Sequence, residues 1–318
     1  MQDVVQTVAG LVLLVAAADL LVKGASSLAS RYNVSPLMIG LTVVSLGTSM
    51  PEMLVSVTAG LQGSADLAVA NVLGSNLFNI LVVLGVAAMI SPLRVHNSTV
   101  VSEIPFSLSA AILLGFLANA ALFTTKQELS ISRLDGGILL LFFMLFMLYI
   151  FSLSDSSNND DLPDPVTRAV SRSVALIVAG IAGLYLGGEW AVEGAVAIAR
   201  NWGVDDAVIG LTIIAIGTSL PELMASAAAA MRKEADIAVG NVVGSNIFNI
   251  LWILGVTASI KPLPFDVISN LDIVMVIAAT MLILLAVVTS RTATISRPWG
   301  GAFVCIYLVY MVYVVQRS

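Results

Sequence analysis

The chain has 318 residues, 58% hydrophobic and 11% charged, with a formal net charge of −6. A soluble domain carries about 25% charged residues, so this composition excludes a globule covered by water and names the bilayer as the solvent. Four of the acids (Asp155, Asp160, Asp161 and Asp164) share one short loop, so the negative balance marks a solvated linker rather than a basic partner. The one cysteine, Cys305, lies in an apolar run, which excludes a disulfide framework and a thiol metal site. The one histidine, His96, is read as a surface residue between helices.

Apolar runs near 20 residues long predict ten membrane spans. They lie at about 5–29, 36–61, 67–91, 101–123, 135–152, 173–198, 206–231, 237–260, 268–289 and 298–316. The first is not a leader peptide: no basic residue precedes it, Asp19 and Lys23 interrupt it, and it has a counterpart later in the chain. The long break, SLSDSSNNDDLPDPVTR, is polar and rich in Asp, Asn and Pro and reads as a linker. It divides the chain into an N-terminal five-helix unit (1–151), an acidic linker (152–170) and a C-terminal five-helix unit (171–318).

An offset of 170 residues superimposes the two units. IGLTVVSLGTSMPEMLVS from Ile39 lies on IGLTIIAIGTSLPELMAS from Ile209, and ADLAVANVLGSNLFNILVVLGV from Ala65 on ADIAVGNVVGSNIFNILWILGV from Ala235. The register reaches back to pair Asp19 with Glu189. An odd number of spans per unit turns the second over relative to the first, which predicts an all-α membrane fold of inverted repeats. Arg31, Arg94, Arg168, Arg172, Arg232, Lys233, Arg291 and Arg297 then fall on one side, and Lys126, Arg133, Arg200, Lys261 and Arg317 on the other. The positive-inside rule puts the richer side, with the linker, in the cytoplasm of a cell-membrane protein, and both termini outside.

The chemistry sits in the second and third spans of each unit. Ser45, Thr48, Ser49, Glu52 and Ser56 share one helical face, and Asn71, Ser75 and Asn79 recur every four residues. The second unit repeats this with Thr218, Ser219, Glu222 and Ser226, then Asn241, Ser245 and Asn249. Only Ser45 loses its hydroxyl, as Ala215. Asp66 and Asp236, which precede Asn71 and Asn241, read as groups that hydrogen-bond at helix ends.

An ionised carboxylate at the bilayer centre costs upward of about 2.5 kcal/mol. No Lys or Arg lies in the four stripes to offset Glu52 and Glu222, so either they are protonated or a cation sits between them. Isolated Ser, Thr and Asn in such helices serve as interhelical glue, but two carboxylates in matched stripes do not fit that role. Pro51 and Pro221 stand just before each Glu and free the carbonyls of Gly47 and Gly217. Such unwound backbone is tolerated at membrane depth only where it lines a protein cavity. Carboxylates, hydroxyls and carbonyls are hard oxygen ligands suited to Ca2+ and to Na+. Thiol and imidazole ligands are missing from the stripes, which argues against Zn, Cu and Fe chemistry.

GTSMPE and GTSLPE, each followed by a GSNxFN segment, resemble the two alpha-repeats of the sodium/calcium exchanger family, within the cation/calcium antiporters. The resemblance covers essentially the whole chain. It implies ten helices, with four ion sites clustered between helices 2, 3, 7 and 8. It also implies that Glu52 and Glu222 are the central acids, that Thr48, Ser49, Ser75, Thr218, Ser219 and Ser245 supply side-chain ligands, that Ser45 and Ala215 supply backbone carbonyls, and that Asn79 is the central amide. Some relatives carry Asp at the position of Asn249, so Asn there lowers the charge of the site. The implied activity is exchange of three Na+ for one Ca2+ by alternating access, with movement of net charge. The ions and the lipid bilayer are the expected partners, with no cofactor, nucleic acid or protein partner.

The nearest alternative is a Ca2+/H+ antiporter, whose relatives usually carry an acid where Asn79 and Asn249 stand. A cation channel is permitted by the broken helices, but two facing acids trap an ion rather than conduct it. An intramembrane enzyme would need a nucleophile–base pair or a His-rich metal site, and the sequence offers neither.

Overall fold

A computed structural model describes residues 2–32, 34–96, 99–123, 129–153, 169–203, 215–267 and 269–317. Helix α1 (Gln2–Tyr32) is followed by α2 (Pro36–Thr48) and α3 (Met50–Gln62), which form one span bent by 50°. Then come α4 (Leu67–Ile90), α5 (Thr99–Ala118) and α6 (Arg133–Leu153). The second half contributes α7 (Val170–Asn201), α8 (Leu220–Met231), α9 (Ala235–Ile260), α10 (Ser269–Val288) and α11 (Arg297–Arg317). Among the described residues, eight helices are long and apolar enough to cross a bilayer, and the bent pair makes a ninth. The seventh predicted span is described only from Ala215 onward, as a short turn (Ala215–Gly217) and α8. Most of the acidic linker lies outside the described residues.

Burial separates the centre from the rim. Of the most apolar stretch of α9, 94% is buried, against 17% of that of α11. Leu141, Met144, Leu148 and Phe151 on α6 and Leu308, Val309 and Val312 on α11 are exposed. So broad an apolar surface is tolerated only in lipid. The polar stripes instead lie inside: Ser49, Glu52, Asn79, Ser219, Glu222 and Asn249 are fully buried.

Helices α1 and α7 have 31 and 32 residues. At 1.5 Å per residue that is about 46–48 Å, well beyond a hydrocarbon core of about 30 Å, so they must tilt or protrude. They pack tightly along a small-residue seam. A Cβ on Gly10 would lie 2.7 Å from the Gly187 carbonyl oxygen, and one on Gly187 would lie 2.9 Å from that of Gly10. Only glycine permits this approach.

Two clasps join the halves. Strand β1 (Leu93–Arg94) pairs antiparallel with β4 (Thr294–Ile295), and β2 (Ser130–Ile131) with β3 (Leu263–Pro264). Beside them Arg297 donates to the Ile90 carbonyl at 3.2 Å and Arg133 to that of Ile260 at 3.3 Å. Each guanidinium thus satisfies a carbonyl at the end of a central helix, where no intrahelical donor reaches.

A buried oxygen cage between the repeats

The helices break just before the prolines, in line with the unwound backbone expected there. The breaks fall at Ser49 (φ −84°, ψ 10°) and Ser219 (φ −92°, ψ 7°). Pro51 and Pro221 are then the second residues of new helices, where a missing N–H costs nothing. Glu52 and Glu222 become third residues, held at the positive ends of α3 and α8. A helix N-terminus stabilises a carboxylate by about 0.3–1 kcal/mol, up to about 2. Residue spacing does not reveal this contribution, which falls short of the burial cost of two ionised carboxylates.

Each carboxylate is held by the opposite repeat. Ser219 Oγ donates to Glu52 Oε1 at 2.9 Å, and Ser49 Oγ donates to Glu222 Oε1 at 2.9 Å. Thr218 and Thr48 stand beside the same two groups. Ser75 Oγ reaches Glu52 Oε1 only at 3.5 Å.

The asparagines form a second crossed layer. Asn79 Nδ2 donates to Asn246 Oδ1 at 3.2 Å, and Asn249 Nδ2 to Asn76 Oδ1 at 3.0 Å. With their amide nitrogens engaged, Asn79 and Asn249 keep their oxygens free. Both stand in wide π turns, at Asn79–Val83 in α4 and Phe248–Ile253 in α9, a distortion frequent at functional sites. Among the described residues, six buried side-chain atoms lack a hydrogen-bond partner: Glu52 Oε2, Glu222 Oε2, Asn79 Oδ1, Asn249 Oδ1, Ser245 Oγ and Glu103 Oε2. The first five belong to the predicted stripes. Buried polar oxygens without partners are costly, and an oxygen-rich, nitrogen-poor set of this kind has the ligand chemistry that hard cations take.

The two expected backbone ligands, Ser45 and Ala215, differ from the rest. The Ser45 carbonyl accepts from Ser49 N at 3.0 Å, and the Ser45 hydroxyl turns back to the Leu41 carbonyl at 2.7 Å. Ala215 stands at the edge of the described residues. Asn71 and Asn241 tie their spans to the polar stripes of α3 and α8: Asn71 Nδ2 donates to Ser56 Oγ at 3.0 Å and Asn241 Nδ2 to Ser226 Oγ at 2.9 Å. Thr48 Oγ1 also donates to Asn241 Oδ1 at 3.1 Å. Asn76 and Asn246 were missed as site residues, although both stand in the GSNxFN motif three residues before Asn79 and Asn249. Asp236 lies in the first turn of α9, with His96 Nε2 at 3.3 Å from its carboxylate.

The family model for sodium/calcium exchanger proteins matches residues 3–152 and 172–316. This chain belongs to that family. The protein CaxA of Alkalimonas amylolytica is 40% identical over 312 residues, covering 95% of each chain. The sodium/calcium exchanger MaX1 of Methanosarcina acetivorans is 30% identical over 333 residues, covering 94% of each. A solved structure of the sodium–calcium exchanger NCX_Mj superimposes with a TM-score of 0.82 at 32% identity, covering 98% of each chain.

Proposed function

We propose that this protein is a secondary active antiporter that exchanges Na+ for Ca2+ across the cell membrane, with net movement of charge. The observation that carries the reading is the set of unpartnered oxygens on Glu52, Glu222, Asn79 and Asn249 between two helix N-termini. Two carboxylates supply a charge of −2, which one Ca2+ balances. Several Na+ satisfy the same oxygens but not at the same time as Ca2+. Mutual exclusion at a site that faces each side in turn is sufficient for antiport, and inverted repeats supply the two packings.

The ligands in this reading are Glu52, Glu222, Asn79, Asn249, Thr48, Thr218, Ser49, Ser219, Ser75 and Ser245, with the carbonyls of Ser45 and Ala215. The Ser45 carbonyl accepts one bond within its helix, and its second lone pair remains for an ion. Residues 1–151 and 171–318 are the two repeats, joined by a cytoplasmic linker. Proton coupling is less well supported, because Asn79 and Asn249 are amides that take up no proton near neutral pH.

The deciding experiment is 45Ca uptake by proteoliposomes under an imposed Na+ gradient or an imposed pH gradient. Uptake that follows Na+ is expected. Uptake that follows protons in Na+-free vesicles would replace this reading with the Ca2+/H+ one.

A further inference from the structure

Among the described residues, a cavity reaches Thr218, at the edge of the buried cage, from one face of the molecule, whereas the related positions on the other face are packed. The cavity of about 230 Å3, lined by Pro51, Val55, Glu189, Val192, Thr218 and Pro221 among others, lies on the side at which α3 and α7 end. The repeat offset places Asp19, Val22, Thr48 and Ala225 in the positions of Glu189, Val192, Thr218 and Val55. On that related side the space is filled: Val22, Thr48 and Ala225 are fully buried, whereas Thr218 is half-buried and Glu189 exposed.

A specific polar contact accompanies the closure. Helix α1 packs on α8, while α7 makes no comparable contact with α3. At the end of α8 Arg232 donates from Nε to Asp19 Oδ1 at 2.8 Å and from its terminal nitrogen to the same oxygen. Lys23 Nζ donates to Asp19 Oδ2 at 2.5 Å. Two turns further along α1, Ser26 Oγ donates to Glu234 Oε1 at 3.1 Å. The repeat lacks this arrangement: Gln62 corresponds to Arg232 and Glu193 to Lys23. One side therefore carries a closed cation–carboxylate cluster where the other carries two carboxylates and an amide.

We propose that the Asp19–Arg232 ion pair, with Lys23, is a latch that holds the α1–α8 side of the ion pathway shut and breaks each time the site turns toward that face. This rests on the alternating-access reading above. The latch biases the resting state toward the face at which α3 and α7 end, and Gln62 provides no equivalent for the opposite state. The ion-pair side chains of Asp19 and Arg232 are 38% and 35% exposed, so the bias is moderate. Loss of an exposed pair shifts an equilibrium by about two- to fivefold.

The test measures accessibility rather than transport. In a Cys305→Ser background, Ala225→Cys reports the closed side and Val192→Cys the open side, each read as the rate of reaction with a hydrophilic maleimide in full-length protein. Arg232→Gln or Asp19→Asn should raise the rate at 225 by about two- to fivefold and lower it at 192. The conservative Arg232→Lys should leave both near their starting rates. Opposed changes separate a shifted equilibrium from loosened packing, which raises both rates. Unchanged rates, or a rise at both positions, would overturn the latch. The readout is independent of the driving ion, so a protein coupled to protons would still show it. Normal Na+-driven uptake with unmoved labelling rates would reject the latch and leave the antiport reading standing.

Discussion

Asn76 and Asn246 bond to each other's backbone across the repeat axis. Asn76 Nδ2 donates to the Asn246 carbonyl at 3.3 Å, and Asn246 Nδ2 to the Asn76 carbonyl at 3.4 Å. The same two side chains accept from Asn249 and Asn79, so they fix which amide atoms of those residues stay unpartnered. Asn76→Ala or Asn246→Ala should release one of those amides. A lost buried hydrogen bond is worth about 1 kcal/mol, so half-saturating Ca2+ for uptake should rise about fivefold or more in each variant. An unchanged Ca2+ dependence in well-folded protein would deny the pair its orienting role.

Glu52→Gln and Glu222→Gln should each abolish Ca2+ transport while the protein still inserts and purifies as a single species. Glutamine preserves the shape and can still accept from Ser219 or Ser49, but the site charge falls by one. Full 45Ca uptake by either purified variant would sink the assignment of these two carboxylates.

Exchange of three Na+ for one Ca2+ moves one net charge per cycle, worth about 2.3 kcal/mol per 100 mV. At a fixed Na+ gradient, an applied potential should therefore accelerate or oppose Ca2+ uptake according to its sign. Asn249→Asp should add a negative charge to the cage and alter the preference between Ca2+ and Na+. Uptake indifferent to voltage would remove the electrogenic part of the proposal.

The count of basic residues predicts that the Asp-rich linker faces the cytoplasm. With Cys305, which is exposed on α11, replaced by serine, a cysteine substituted for Ser157 should be protected from an impermeant thiol reagent added to intact cells. Rapid labelling from outside would reverse the topology.

Gly187→Leu should force α1 and α7 apart, because there is no room at the Gly10 backbone for even a Cβ. Overpacking costs about 1–3 kcal/mol. The thermal midpoint in detergent should drop by several degrees, whereas Gly137→Ala, with nothing within 4 Å of the added carbon, should leave it in place.

Much of this arrangement could be read from the chain because duplication repeats the signal. The matched GTSxPE and GSNxFN segments place Glu52 opposite Glu222, and hydropathy locates most span ends within three residues. Other features depend on three-dimensional relations that spacing does not encode. The break at Ser49 rather than at Pro51 makes Glu52 an N-terminal residue of its helix, and proline tolerance alone does not specify which residue yields. The orienting role of Asn76 follows from a partner 170 residues away. The pairing of Asp19 with Arg232 depends on the packing of α1 against α8, elements far apart in the chain.

The crossed bonds of Ser49 to Glu222 and Ser219 to Glu52 also constrain how such a protein could have arisen. The shorter bond to each carboxylate comes from the other half, so a half-length precursor with the same site would have worked as two copies threaded through the bilayer in opposite directions. Such a chain needs nearly balanced Lys and Arg counts at its two membrane surfaces, since an uneven count would insert every copy the same way up. Fusion into one chain removes that constraint and lets the halves diverge, as Ser45 and Ala215 have done.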